Sequence, residues 1–427
     1  VAGATDRTGR TEGAGGYGEL LRTRHAARLL GGTLLGRLPN AMAALAIVLF
    51  LRAHGAGYGL AGTLSALYGL AVALGQPLLG RAVDRRGQPR VMAAAALLAA
   101  AGFALLAVNG PRPVPIAVAA VLLAGLATPP LEGGLRALWP AVLAREEQVQ
   151  KAYALDAAAQ EVLFTLGPLL VTAAVAAASE AAAVVLTGLL GVAGTLVVVT
   201  SAPSRRWRAE EREAHWLGAL RSRGLAVLLA ACFCVGVALG AFSLAAVAYG
   251  DAHGGAGAAS YVLAANGAGA LLGGLGYGAR TWSGLPERRL RLLAVGLAAC
   301  YPPLLLAPAL GWMLPLAALS GLFLAPTLAC GFLVVDRHAP AGTVTEAFSW
   351  VVTAVGVGSA LGTAVAGAAA QDGGGTGGFA VCAAGGALAL LVLLCTARIL
   401  TAPHPETETE KDPSRAPQPR FSTSPEA

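Results

Sequence analysis

The chain has 427 residues, 56% of them hydrophobic and only 12% charged, with a formal net charge of +7 and a sequence pI near 9.3. That charged fraction is about half of what an ordinary soluble domain carries, so a water-solvated globule is excluded and a membrane-embedded chain is expected. Nucleic-acid binding is excluded as well, because the arginines gather in short segments between long uncharged windows and form no single basic face.

In chain order, residues 1–25 are polar and Gly-rich and read as a disordered cytoplasmic tail with no cleavable signal peptide. A first span runs from Ala26 to Leu51, interrupted by Arg37. Uncharged windows follow at 53–80, 91–111, 113–131, 162–179, 181–204, 224–250, 252–279, 292–335, 347–371 and 373–397. About 20 apolar residues cross ~30 Å of hydrocarbon, so each of these windows except 292–335 holds one span. Window 292–335 is too long for one, and Pro302-Pro303, Pro308 and Gly311-Trp312 mark a turn that divides it into two. The expectation is an all-α membrane protein of twelve transmembrane helices. Residues 26–201 form one six-helix bundle and 224–400 a second, joined by a charged linker at 202–223. The linker alternates Glu210, Glu211 and Glu213 with arginines and predicts an amphipathic surface helix. The tail 401–427, rich in Pro, Glu, Thr and Ser, is expected to be disordered and cytoplasmic.

Orientation follows from the basic residues. With the N-terminus inside, the inner segments hold Arg22, Arg24 and Arg28, then Arg81, Arg85, Arg86 and Arg90, then Arg136, Arg145 and Lys151. They continue with Arg205 to Arg223, Arg280 to Arg291, Arg337 and Arg398, whereas the outer segments hold only Arg52 and Arg112. Such a bias is the positive-inside pattern and puts both termini in the cytoplasm. Val1 fits literal translation of a GUG start codon, and lysine occurs only at Lys151 and Lys411, as GC-rich coding would produce. The setting this predicts is a bacterial inner membrane.

The turn between spans 2 and 3 reads GRAVDRRGQPR from residue 80. Gly80, Asp84, Arg85, Gly87 and Arg90 make the pattern G-x-x-x-D-R-x-G-x-x-R, with Gln88 where a basic residue is usual. Anchoring by positive charge explains the arginines but not an acid framed by two glycines. The stretch resembles the loop signature of the major facilitator superfamily (MFS), and with the twelve spans, two halves and central linker the resemblance covers about residues 25–400. It implies the MFS fold and a secondary active transporter working by alternating access, a monomer whose partners are a small-molecule substrate, protons and the lipid bilayer. It also implies that Asp84 faces the N-terminus of span 11, where unpaired N–H groups carry partial positive charge. Span 11 is expected to begin at Thr343–Glu346, which has the spacing of a capping box.

A second stretch, RALWPAVLAREEQVQKAYALDAAAQEVLFTLGPLL from Arg136 to Leu170, resembles bacterial efflux members of that superfamily, and Gly167-Pro168 is similar to the span 5 antiporter signature. The resemblance implies proton-coupled efflux; proton-coupled uptake and a non-transporting sensor are the alternatives. A membrane enzyme is disfavoured because every loop except the linker is short.

The costly residues are the buried charges. Arg37 lies roughly 13 Å into span 1, and Glu161 lies at similar depth in span 5; unpaired, either costs at least ~2.5–3.5 kcal/mol. They are expected to pair, either as a structural tie or as a proton or substrate site whose acid gives up its proton when the cavity changes shape. Glu132, Asp156 and Glu346 are further possible charge partners. Asn40, Gln160, Asn266 and Trp350 are polar at depth and expected along the cavity. The pairs Gly269/Gly273, Gly274/Gly278 and Gly358/Gly362 predict close helix approach. The strings GLGYG and GVGSALG lie inside apolar windows and are not nucleotide loops. Cys232, Cys234, Cys300, Cys330, Cys382 and Cys395 fall within spans with no histidine cluster, so no metal, disulfide or cofactor is expected.

Overall fold

The computed structural model describes residues 17–209, 217–253 and 256–401. Of the tails expected at 1–25 and 401–427, residues 1–16 and 402–427 lie outside these residues, as do Glu210, Glu211 and Glu213 of the linker; Tyr17–Arg22, expected to be disordered, is a helix that buries Leu20. Among the described residues, twelve helices are long and apolar enough to cross a membrane. They are α1 (Ala26–Ala53), α2 (Gly59–Arg86), α3 (Gln88–Asn109), α4 (Val114–Val142), α5 (Glu146–Ala177) and α6 (Glu180–Val199), then α7 (Arg223–His253), α8 (Gly257–Gly278), α9 (Pro286–Leu306), α10 (Leu310–His338), α11 (Val344–Ala370) and α12 (Thr376–Cys395). The first six pack chiefly on one another and so do the last six, which makes two bundles. All the described arginines of the chain's inner segments fall at one end, called here the arginine-rich end, except Arg136. That residue, expected in a loop, lies inside α4 with no solvent exposure.

Two spans, one in each half, are divided into two α-helical segments, and both breaks follow from proline; α9 passes from α-helix to a 3-10 turn after Cys300. In α4 the helix stops at Leu126 and restarts at Leu131, because Pro129 and Pro130 donate no backbone hydrogen bond. In α10 it breaks at Phe323, one turn before Pro326, whose missing N–H leaves the Leu322 carbonyl without its helical donor. The second segments, Leu131–Val142 and Leu324–His338, meet the other half of the molecule. The linker is not one continuous helix where it is described: Ala202–Arg206 is helical, residues 207–209 are not, and Gly218–Arg221 is a 3-10 turn.

Glycine lets the helices within each half approach to backbone contact. A Cβ at Gly358 or Gly362 would overlap the carbonyl oxygens of Phe233 and Val237 on α7, and one at Gly269 or Gly273 would overlap those of Ala318 and Leu322 on α10. Gly356, two residues from Gly358, has open space instead. We expect Gly358→Val to destabilise the purified protein by about 1–3 kcal/mol through overpacking, read as a lowered thermal unfolding midpoint in detergent. Gly356→Ala should leave that midpoint unchanged or higher.

Candidate functional site

The deepest polar cluster joins α1, α4 and α5. Counting from the arginine-rich end at 1.5 Å per residue, Arg37, Glu132 and Asp156 each lie about 15 Å along their helices, so three spans bring charge to one level. Arg37 donates from Nη1 to Asp156 Oδ1 at 2.6 Å and from Nη2 to Gln160 Oε1 at 2.6 Å, and its Nη2 lies 3.1 Å from Glu132 Oε2. Arg136, one turn from Glu132 on the same face of α4, donates from Nη2 to Glu132 Oε1 and from Nε to Asp156 Oδ2 at 3.0 Å. Two guanidinium groups and two carboxylates thus close a neutral set. Arg37 is 4% exposed, and Arg136 and Asp156 are 0% exposed.

The set also touches the other half. The Arg136 guanidinium carbon lies 3.4 Å from the ring centroid of Phe332 on α10 and 5.6 Å from that of Phe348 on α11. Tyr153 on α5 packs at an angle against both rings and donates its hydroxyl to the Arg136 carbonyl at 3.4 Å. A guanidinium over an aromatic face contributes about 0.5–2 kcal/mol, the upper value when both are desolvated as here.

Nearer the arginine-rich end, Asp84 of α2 accepts from the backbone N–H groups of Thr345 at 3.1 Å and Glu346 at 2.8 Å. One carboxylate from the first half therefore caps the N-terminus of α11 in the second. The capping box expected from Thr343 and Glu346 does not form. Thr343 turns its hydroxyl to the Pro340 carbonyl, and Glu346 is engaged by the fork of Arg81, Nε to Oε2 at 3.1 Å and Nη2 to Oε1 at 2.9 Å. An ionised acid reaching two N–H groups displaces the weaker local hydroxyl cap. Gly80 and Gly133 allow this approach: a Cβ at Gly80 would stand 2.5 Å from Ser349 Oγ, and one at Gly133 2.9 Å from the Thr345 carbonyl oxygen. Gly87 turns the chain with φ of +83°, Gln88 is buried between the Gly134 carbonyl and the Ser204 hydroxyl, and Arg85 and Arg90 are exposed. Two more ties cross the halves at this end: the Tyr17 hydroxyl donates to the Leu275 carbonyl at 2.7 Å, and Arg289 to Gln150 Oε1 at 3.3 Å.

Towards the opposite end the two halves part. Thr353 of α11 donates to the Ala73 carbonyl of α2 at 2.8 Å, yet one turn further Leu70 and Val357 are exposed. On the other seam Gly278 and Gly274 of α8 pack on Ala154 and Ala158 of α5, and Glu161 comes next, opposite Gly267. One turn beyond, Thr165 and Ala264 are exposed. Glu161 is half-buried and, among the described residues, its carboxylate has no hydrogen bond or ion pair. The expected Arg37–Glu161 pair is therefore corrected. Asp156 and Gln160, four apart on α5, face Arg37, while residue 161 is rotated about 100° further round the helix towards α8.

The other polar candidates divide. Gln160 belongs to the ion cluster. Asn266 is spent on α10, donating to Ser320 Oγ at 3.0 Å and the Ala317 carbonyl at 3.3 Å. Asn40 is exposed on α1, and Trp350 is half-buried with its indole N–H unpartnered. Reasoning from the sequence missed Arg81, Arg136, Phe332 and Phe348 as a group. The Glu132/Arg136 spacing of four was the one local signal available for any of them. Asp156→Ala leaves two buried arginines to share Glu132 and is expected to cost about 3–5 kcal/mol in unfolding measurements. The Arg37→Ala/Asp156→Ala double variant should be destabilised by less than the sum of the two single variants.

The comparisons with known proteins follow the same lines as this geometry. The description of the Major Facilitator Superfamily matches residues 29–345 and 287–425. No curated protein matches the chain in sequence. Among solved structures the chain resembles the human organic anion transporter MFSD10 (TETRAN) at TM-score 0.66 and 17% identity, over 86% of this chain and 99% of that one. It resembles a bacterial homologue of the iron transporter ferroportin in its outward-facing state at TM-score 0.66 and 14% identity, over 87% and 99%. The Escherichia coli fucose:proton symporter FucP gives TM-score 0.66 and 14% identity, over 88% and 98%. At such identities the likeness is one of fold.

Proposed function

The chain belongs to the Major Facilitator Superfamily, and from that premise we propose that it exports a small organic molecule across a bacterial cytoplasmic membrane, driven by proton antiport. Family and fold are those of a multi-pass membrane transporter, not of an enzyme. The observation that carries the reading is the asymmetry of the seam: bonded between halves at the arginine-rich end, parted at the other. The arginine bias supports a cytoplasmic position for the bonded end and for both termini, so this is the outward-facing state of an alternating-access cycle. That assignment agrees with the outward-facing state named for the ferroportin homologue.

In the cycle, Asp84, Arg81 and Glu346 form the cytoplasmic latch, and the stack of Phe332 and Phe348 on Arg136 closes above it. Rocking the halves apart exposes the α11 N–H groups to water, which replaces Asp84. Export by antiport is supported by the Gly167-Pro168 signature in α5 and by the ionisable Glu161 at the foot of the parted region. Proton-coupled uptake is the second reading, supported by the likeness to the fucose:proton symporter. The sign of substrate accumulation in proteoliposomes under an imposed pH gradient separates the two.

Asp84→Asn keeps the side-chain volume but removes a charge–dipole interaction of about 0.3–1 kcal/mol, up to ~2 when partly buried. We expect lower transport, together with severalfold faster labelling of a reporter Ser349→Cys from the cytoplasmic side in a background free of other cysteines. Unchanged labelling and unchanged transport would reject the latch. Glu161→Gln should lose transport driven by a pH gradient and retain substrate exchange, which needs no net proton movement. Full pH-driven transport in that variant would move the coupling to Asp156 or Glu132.

A further inference from the structure

Residues 17–22 belong to neither bundle, yet they touch both. The short helix Tyr17–Arg22 packs against α1 and the start of α5, where Leu20 is 2% exposed and lines, with Glu19, a crevice shared with Arg145, Glu147, Gln148 and Lys151. From that seat on the first half, Tyr17 crosses the seam between α5 and α8. Its hydroxyl donates to the Leu275 carbonyl of α8 at 2.7 Å, a bond between residues 258 apart in the chain. Leu275 lies in the last turn of α8, where carbonyl groups lack a full set of helical donors and carry partial negative charge, so an added O–H donor is favourable there. Glycine makes the contact possible: a Cβ at Gly278 would overlap both the Tyr17 hydroxyl and the Ala154 side chain of α5. The tyrosine is thus set into the arginine-rich end of the seam, against both of the helices that must part there.

We propose that residues 17–22 are an autoinhibitory strap, which holds the seam of α5 and α8 shut at the arginine-rich end and restrains the protein in the state seen here. This inference rests on the alternating-access reading above and adds a point of control to it. Asp84 and the α11 N-terminus belong to the bundles themselves, so that latch parts only when the bundles move. The strap differs: its two anchors, Leu20 on the first half and Tyr17 on the second, can let go while both bundles stay in place. A segment fixed to both halves cannot keep both attachments as they separate, so opening requires Tyr17 to leave Leu275 or Leu20 to leave its seat. Once the strap is off, the seam keeps the longer bond from Arg289 to Gln150 Oε1, 3.3 Å. Its release therefore shifts the population towards the state open at this end.

The test uses the full-length protein in lipid nanodiscs, with its native cysteines replaced. Spin labels on Gly18→Cys and Arg280→Cys, both at exposed positions, report docking of the strap by their separation. Thiol labelling of Ser349→Cys and of Val357→Cys reports access from the arginine-rich end and from the opposite end. Tyr17→Phe keeps the ring and loses one hydrogen bond, so the population with a longer label separation should rise severalfold. Ser349→Cys should then label severalfold faster and Val357→Cys more slowly, as a shift between two states requires. Leu20→Ala removes the other anchor and should act alike. The double variant should match the stronger of the two single variants, because a strap detached at either anchor is already released. An unchanged label separation or unchanged Ser349→Cys labelling in Tyr17→Phe, faster labelling at both reporters, or additive effects in the double variant each overturns the strap. The alternating-access reading is judged separately by Asp84→Asn, whose effect on Ser349→Cys labelling acts at the other seam and does not involve residues 17–22.

Discussion

Arg37, Glu132, Arg136 and Asp156 neutralise one another about 15 Å inside the helix bundle, where any one of them left alone would cost several kcal/mol. Their mutual bonding fixes how α1, α4 and α5 are rotated about their axes, since each helix must turn its charge to the common centre. The break in α4 contributes to the same arrangement. The segment Leu131–Val142, released from the upper helix by Pro129 and Pro130, presents Glu132 and Arg136 together on one face. Because Arg136 carries Phe332 and Phe348 on its outer side, the same four charges are the surface on which the second half docks.

The seam is held by contacts that water can replace. Asp84 satisfies two N–H groups of α11 that have no partner within their own helix, and Arg81 grips Glu346 through a two-pronged bond that is partly exposed. When the halves separate, solvent reaches all of these groups, so the net cost of parting is a small fraction of the gross interaction. Gly80 and Gly133 make the closed state possible by letting α2 and α4 reach the backbone of α11. By contrast, the glycine-to-carbonyl contacts of α7 with α11 and of α8 with α10 lie within the second half and keep it rigid while it moves. Two bundles joined through polar contacts that water can replace are suited to the alternating access proposed above.

Among the described charges deep between the helices Glu161 is the one left unneutralised, and its position explains why it can be. It lies where α5 and α8 stop touching, so its carboxylate meets whatever occupies the parted region and is not sealed in protein. Asp84, Glu132, Asp156 and Glu346 are each bonded to arginine or to backbone N–H groups. Among the described residues Glu161 and Asp336 are half-buried acids without such a bond, and of these two Glu161 is the one that lies away from the arginine-rich end.

The amino-acid sequence determined by itself the number of the spans, because membrane crossing depends on the length of an uncharged window, a property along one dimension; the ends of α4 at Val142 and of α5 at Glu146 lie beyond those windows. The division of 292–335 at its prolines and the start of α11 beside Thr343 follow from that and from backbone chemistry. The contact of Asp84 with α11 was legible only through the resemblance of its loop. Tertiary structure alone decided partners. Arg37 meets Asp156 and Gln160 instead of Glu161, and Arg136 leaves the loop arginines to join the buried set. Thr343 yields the α11 cap to a carboxylate about 260 residues away in sequence. These choices turn on rotation about helix axes. A helix apolar on every side carries no stripe to report which face is inward, so a displacement of one residue, from 160 to 161, moves a side chain to a different neighbour without leaving a mark in the pattern.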